Sequence, residues 1–375
     1  MSDYLLSTME NPGKLKLLVL DGSPYNRGLI YGRTMRNQIH QLLVPWKAAF
    51  VEYIKIDPES FIKLFLTRTD YISAIKRWTP DLLEEIKGIS EGAGVDFDTM
   101  LVYQFADEYI TIGKAIAQNR CSSAGFSARD NQPSAIAQNM DIESYADGFQ
   151  LVLHIKHENS DLESFVLTLP GSIGLNGINN KAIGICCNAL TQLQSCREGL
   201  PVSCIVRGVL HQRTVDDAIA FIHQIKHASG QNYVIGGQTK IECLECSAGK
   251  ICRFKPNGRD DVVWHTNHPV VNNDYRSEYL ALLTKEFNIE QNEPNTRSRL
   301  KALESRLSNI SEKLDIDLLK RALSSRDSEE FPVSREKDRY YAFTFASTIM
   351  VLSEVPKFHV APGPPHITPY EYFTF

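Results

Sequence analysis

Residues 119–123 read NRCSS, and AQNMDIE follows at 137–143. The texture of the chain changes between them. Upstream the apolar residues recur at helical spacing, and downstream they alternate as strands do. Cys121 stands on this boundary. It is either a small buried thiol opening a strand or the first residue of a working chain.

Toward the N-terminus, helix signals dominate residues 1–120. Ser23 and Pro24 make an N-cap followed by Pro at the first helical position. Leu29, Ile30, Met35, Ile39, Leu42 and Leu43 then fall near helical spacing. Thr79-Pro80 repeats the signal before DLLEEIKGISEGAG, which has an acidic first turn and a Gly-rich stop. A third helix is predicted from Asp98 to Ala117.

Toward the C-terminus, CSSAGFSA, the turn RDNQP and SAIAQNM read as a hairpin. Four strands follow in FQLVLHIKH, ESFVLTLP, IGLNGINN and AIGICCNAL, then two helices in PVSCIVRGVLHQ and VDDAIAFIHQIKHA. NYVIGG, TKIECLECS, KICRFKP and DVVWHTN form a second group of strands. Residues 272–340 are charged and helical, clearest in RSRLKALESRL, and YAFTFASTIMVLSE and KFHVAPGPP return to strand. This is not the alternating rhythm of a parallel sheet. It predicts an α+β protein of two mostly antiparallel sheets with helices packed outside.

Composition narrows the function. The 375 residues are 43% hydrophobic, enough for a large core, and the net charge of −5 with no Lys/Arg tract argues against a nucleic-acid partner. No run approaches 18 apolar residues, so no membrane span is expected. The apolar run Leu17 to Leu20 is too short for a signal peptide, which leads us to expect a soluble, cytoplasmic protein. Oligomerisation stays open. Eight Cys are too few for a disulfide scaffold, and CLEC at 243–246 lacks the second pair that a zinc ribbon needs. His265 and His268 in HTNH would point to opposite faces of a strand, a poor chelate. Neither a metal nor a cofactor is implied, since GxSxG, Walker A, GxGxxG and HExxH are all missing.

Thiol chemistry remains. A nucleophilic Cys needs a base, and its own α-amine can serve. The amine titrates at about 7.7–8.0 and the thiol at about 8.5, a matched pair near neutral pH. That amine is free only if the preceding bond is cut.

Five stretches carry a family resemblance: CSS at 121–123; QNMD at 138–141; GLNGINNKAIGICCNAL, with Asn188 near its end; HTNHP, with Asn267; and VAPGPP near the C-terminus. GSPYNRGLIYG and TPDLLEEIKGISEGAG add to it upstream. The chain resembles the acyl-coenzyme A:6-aminopenicillanic acid acyltransferase family, a Cys branch (peptidase C45 type) of the N-terminal-nucleophile hydrolases. The resemblance implies a four-layer αββα sandwich over residues 121–375 and a helical pro-segment over residues 1–120. It implies that Cys121 attacks the Arg120 carbonyl, cuts the chain between Arg120 and Cys121, keeps the pro-segment as an associated chain, and then acts as nucleophile. It further implies that Asp141 holds the new amine, that Asn267 donates to the oxyanion with help near Asn188, and that Gln138 and Asn139 lie at the substrate.

Two residues depart from the pattern. Related bile-salt and penicillin V hydrolases carry Arg where this chain has Gln138, and the family commonly has Gly where this chain has Arg120. The function expected is a self-processing amidase that cleaves a small N-acyl amide through a Cys121 acyl-enzyme. The alternatives are acyl transfer from acyl-coenzyme A, or a silent, uncut relative that binds a ligand.

Overall fold

The computed structural model of the chain describes residues 15–110, 121–129, 132–283, 294–308, 313–337 and 342–375. The described strands are β1 (Lys16–Leu20), β2 (Ser122–Phe126), β3 (Ser134–Glu143), β4 (Leu151–Lys156), β5 (Glu163–Thr168), β6 (Asn176–Asn179), β7 (Gly184–Ala189), β8 (Gln231–Gly236), β9 (Ile241–Cys246), β10 (Ile251–Arg253), β11 (Val262–His265), β12 (Ala342–Leu352), β13 (Lys357–Ala361) and β14 (Glu371–Thr374). They form an eight-stranded sheet, β1-β4-β5-β6-β7-β8-β9-β10, and a six-stranded sheet, β11-β2-β3-β12-β13-β14. Among the described strands every pairing is antiparallel except that of β1 with β4.

The α-helices are α1 (Pro24–Thr34), α2 (Arg36–Ala49), α3 (Pro58–Arg68), α4 (Tyr71–Trp78), α5 (Pro80–Ala93), α6 (Phe97–Tyr103), α7 (Ala106–Ile110), α8 (Val202–Leu210), α9 (Val215–Gln224), α10 (Ser277–Leu283), α11 (Pro294–Leu307) and α12 (Ile316–Leu323). Their packing follows from the two-residue period of the strands. On β4, Leu151, Leu153 and Ile155 face α1–α9, whereas Val152 faces the second sheet. On β7, Ile185 and Cys187 take the helical side and Cys186 the inter-sheet side, so the adjacent thiols point apart. On β3, Ile136 faces the first sheet, and Ala135 and Ala137 face the Leu303, Leu307, Leu318 and Leu319 side chains of α11 and α12. Three cores separate four layers, and the architecture is the αββα sandwich expected. Burying one Leu, Ile or Phe contributes about 1.5–3 kcal/mol, so these faces and not helix propensities fix the layers.

The N-terminal residues join this sandwich directly. Ser23 caps α1 by accepting from Asn26 N at 3.4 Å, with Pro24 in the first turn. α1 and α5 cross with their backbones touching. A Cβ on Gly28 would stand 1.9 Å from the Glu85 carbonyl oxygen, and one on Gly88 would stand 2.1 Å from that of Tyr25. Close below this crossing, the fully buried carboxylate of Glu85 accepts from Arg207 of α8 at 2.7 and 2.9 Å and from Arg27 of α1 at 3.2 Å.

Several sequence expectations change. Residues 1–120 are not purely helical, because β1 adds a parallel edge strand to the first sheet, Lys16 opposite Leu151. Five residues are too few for alternation to reveal a strand. Helices α3 and α4 lie between the predicted helices, and the predicted Asp98–Ala117 helix is two pieces, α6 and α7, its last part lying outside the described residues. Strand β14 was not expected. The hairpin of β2 and β3 forms as read, with Arg129 and Gln132 bonded both ways at 2.8 and 3.0 Å across the RDNQP turn. Among the described residues no helix is long and apolar enough to cross a membrane.

Candidate active site

Cys121 immediately precedes β2, which lies between the edge strand β11 and β3 in the second sheet. Register places Ser122 opposite Asn139 of β3, so Cys121 lies beside Met140 and Asp141. Its side chain is 6% exposed, and the thiol donates to Met140 Sδ at 3.5 Å. Burial first, and the Asp141 carboxylate second, push the thiol pKa up to about 12. In the continuous chain it is therefore a protonated thiol, not a thiolate, at neutral pH. Arg120 lies outside the described residues.

The carbonyl of Cys121 is held from the outer helical layer. Arg299 of α11 is completely buried, and its Nη1 donates to Cys121 O at 2.6 Å and to Ser122 Oγ at 2.8 Å. Its Nη2 donates to Asn267 Oδ1 at 3.0 Å, and its Nε to Asn295 Oδ1 at 2.9 Å. One guanidinium thus ties Cys121 to Asn267 through charge-assisted bonds in a rigid fork. Sequence reading missed Arg299 because RSRLKALESRL looks like a solvated, charged helix. A signal was present: Arg299 shares the four-residue stripe of Leu303 and Leu307, where an apolar residue is expected.

Asn267 follows β11. Its backbone N–H donates to Thr296 Oγ1 at 2.7 Å, its carbonyl accepts from Gln192 at 3.0 Å, and its Nδ2 donates to Ala189 O at 3.1 Å. An amide nitrogen carries two N–H donors, so this bond uses one of them. Asn188, on β7, is fully buried and accepts from Ser123 Oγ at 2.5 Å and Asn232 Nδ2 at 3.2 Å. Its own Nδ2 has no hydrogen-bond partner among the described residues. A buried donor in that state carries a desolvation cost of about 1–3 kcal/mol until something accepts from it.

The two residues that the resemblance sets at the substrate point to opposite faces of β3. Gln138 is fully buried, donates to Cys187 O and accepts from Asn176 at 2.9 Å. Asn139, on the opposite face, donates to Leu323 O at 2.8 Å and Val333 O at 2.9 Å. Strand alternation sends one to the first sheet and the other to the outer layer, and both are spent holding layers together.

The histidines of HTNH divide as expected. His265 Nε2 meets Glu245 Oε1 at 2.8 Å, while His268 Nδ1 meets Thr296 Oγ1 at 3.0 Å. Burial, then the charge of His265, lower the His268 pKa to about 3, so its ring is neutral. Among the described residues no group of three His, Cys, Asp or Glu side chains could hold a metal ion.

A Ser–His–Glu arrangement also occurs away from Cys121. Ser334 Oγ lies 2.6 Å from His366 Nδ1, and His366 Nε2 lies 3.1 Å from Glu336 Oε1. Ser334 is fully buried and Arg326 occupies the same carboxylate oxygen at 2.6 Å, so the group tethers the C-terminal segment.

The site thus sets a buried thiol just before β2 in a four-layer αββα sandwich, with its backbone carbonyl tied through Arg299 to Asn267. The sequence matches the family described as acyl-coenzyme A:6-aminopenicillanic acid acyl-transferase over residues 127–359. The chain belongs to this family, and the match begins beyond Cys121 while including Asp141, Asn188, Asn267 and Arg299. No curated protein matches the sequence.

Among solved structures, it is similar to a Caenorhabditis elegans N-acylethanolamine-hydrolyzing acid amidase ortholog, at 14% identity over 62% of this chain and 92% of that one, TM-score 0.42. It is also similar to a conjugated bile acid hydrolase mutant from Clostridium perfringens, at 14% identity over 68% and 96%, TM-score 0.40. A penicillin V acylase from Agrobacterium tumefaciens matches at 14% identity over 64% and 82%, TM-score 0.41.

Proposed function

We propose that the protein is a self-processing amidase whose nucleophile is Cys121. The observation that carries this reading is the Arg299 fork, which joins the Cys121 carbonyl to Asn267 inside a water-poor core. In the uncut chain Asp141 takes the thiol proton, and the sulfur adds to the Arg120 carbonyl carbon. The Arg120–Cys121 C–N bond breaks as Asp141 returns that proton to the departing nitrogen, giving a thioester and a free α-amine. Water hydrolyses the thioester, leaving residues 1–120 as a carboxylate-ended chain and residues 121–375 with Cys121 first. The pro-segment stays bound.

Catalysis then repeats the chemistry on a small N-acyl amide. The Cys121 amine, held by Asp141, accepts the thiol proton, and sulfur attacks the acyl carbon. Asn267 Nδ2, with Asn188 Nδ2, donates to the oxyanion, the amine product leaves with the proton, and water resolves the acyl-enzyme. Losing one well-placed oxyanion donor costs about 2.7–4 kcal/mol of barrier. Asn267→Ala is accordingly expected to lower kcat by about 10²–10³-fold with KM little changed, measured on p-nitrophenyl acetate as acyl donor.

The family description favours one second reading, in which an amine instead of water takes the acyl group from a coenzyme A thioester. Product formation that depends on added amine and acyl-coenzyme A would select it.

Intact mass spectrometry of the purified protein tests the primary reading. It is expected to give two species, residues 1–120 and 121–375, the larger beginning with Cys121 and taking one equivalent of iodoacetamide there. A chain that stays whole under all conditions sinks the self-processing reading, and leaves a binding protein with Arg120 as the block. A cut chain that is not labelled at Cys121 sinks the nucleophile.

A further inference from the structure

We propose that Glu245 is the positioning residue for the oxyanion donor, fixing Asn267 by clamping its loop at both ends. This rests on the oxyanion reading of Asn267 given above.

Glu245 lies on β9 and is fully buried. Strand alternation puts it on the face of Cys243, toward the second sheet. Its carboxylate accepts four hydrogen bonds, two on each oxygen. Oε1 takes His265 Nε2 at 2.8 Å and Val270 N at 2.6 Å, and Oε2 takes Val271 N at 3.0 Å and Asn272 N at 2.6 Å. His265 lies two residues before Asn267 and Val270 three after it. One side chain therefore closes the loop on both sides of the donor. The backbone of β9 adds to the clamp, since Asn272 Nδ2 donates to Glu245 O at 3.0 Å.

The charge is what makes this more than a turn. A buried carboxylate costs several kcal/mol unless every lone pair is met. A neutral side chain or a shorter turn could close a loop without that cost. Here burial raises the Glu245 pKa, but His265 and the backbone N–H groups outweigh it and bring it below the ordinary value. The His265 ring faces acceptors on both sides, Thr266 O at 2.8 Å from Nδ1 and Glu245 from Nε2. With an oxygen at each nitrogen, the ring is held in one orientation beside the carboxylate. An ionic clamp of this kind has one well-defined geometry. Asn267 is then held from below by Glu245 through its loop and from the side by Thr296 and Arg299.

Glu245→Gln keeps the shape but turns one oxygen into an NH₂ group that faces other donors. Displacing a catalytic group by about 1 Å can cost on the order of 10²-fold. We expect kcat on p-nitrophenyl acetate to fall about 10–100-fold, with KM within about threefold and the far-ultraviolet dichroism of the wild type retained. The loss should vanish in the Asn267→Ala background, because a misplaced donor that is already absent cannot cost more. His265→Gln, which loses one of the four contacts, carries the same test should Glu245→Gln fail to fold. A loss of equal size in both backgrounds, or one confined to KM, overturns the clamp and leaves the oxyanion reading standing. Full activity of Asn267→Ala by itself overturns both.

Discussion

Cys121→Ala is expected to leave a single uncut chain and to lower turnover of an activated acyl donor by about 10⁵–10⁶-fold, the size of loss seen when a nucleophile is removed from a triad-type site. Both effects trace to one atom. The sulfur can add to a carbonyl carbon, whereas the Arg299 guanidinium and the Asn267 amide cannot form the covalent intermediate themselves. The fold should survive, because the side chain lost is small and the Arg299 bonds to the Cys121 carbonyl and Ser122 Oγ do not involve the sulfur. Intact mass, a thermal melt and p-nitrophenolate release report the three outcomes separately. Iodoacetamide adds a check by pH. In the uncut chain the thiol sits at about 12, so alkylation of an uncut sample should be slow at pH 7 and accelerate only in strong alkali. Once the amine is free the same sulfur should react near neutrality. An alanine variant that is still cut at the Arg120–Cys121 bond would remove the thiol from the mechanism.

Glu85→Ala should lower the unfolding free energy by about 3–5 kcal/mol, since it strands two buried guanidinium groups, Arg27 and Arg207, without their shared carboxylate. Exposed pairs such as Lys226–Glu198 at 3.5 Å offer a contrast, as their loss is worth at most about 1 kcal/mol. The Glu85 triad joins α5 and α1 to α8, and therefore residues on both sides of the proposed cut. In a cut sample the variant should release the smaller piece on gel filtration at urea concentrations the wild type tolerates. Burial raises the Glu85 pKa, but Arg207 and then Arg27 outweigh it and hold the carboxyl at about 2. Its contribution is therefore present above the unfolded carboxyl pKa of about 4.3 and is lost only as pH falls toward 2. Mild acid alone should not separate the pieces. A urea midpoint unchanged in Glu85→Ala would contradict this assignment.

Most strands after Cys121 were legible as short apolar, β-branched runs bounded by turn residues, whereas β14 was not. The layered α+β class followed from their order. β1 was not legible: KLLVL is short, and its partner lies far along the chain. The site was legible only in part. Cys121, Asp141, Asn188 and Asn267 came from short motifs, and the structure places the first two side by side and links Cys121 to Asn267 through Arg299. Arg299 and Glu245 were hidden for the same reason: single charged residues in charged or Cys-rich stretches look solvated until tertiary packing buries them. Gln138 and Asn139 show what a short motif leaves out. They adjoin Asp141 in sequence, but the pleat turns them into the two layers on either side.

The parallel pairing of β1 with β4 also sets an order of events during synthesis. A ribosome delivers β1 before Cys121, yet its hydrogen-bonding partner, Leu151–Lys156, emerges after it. The N-terminal helices meanwhile have no sheet face to cover, since the strands that present it run from β4 to β9. Such long-range pairings form late. Cys121 is therefore made before the architecture that surrounds it exists, and Arg299 arrives later still. If the proposed scission depends on Arg299, it waits until α11 has been made and packed against β2, a delay set by chain order alone.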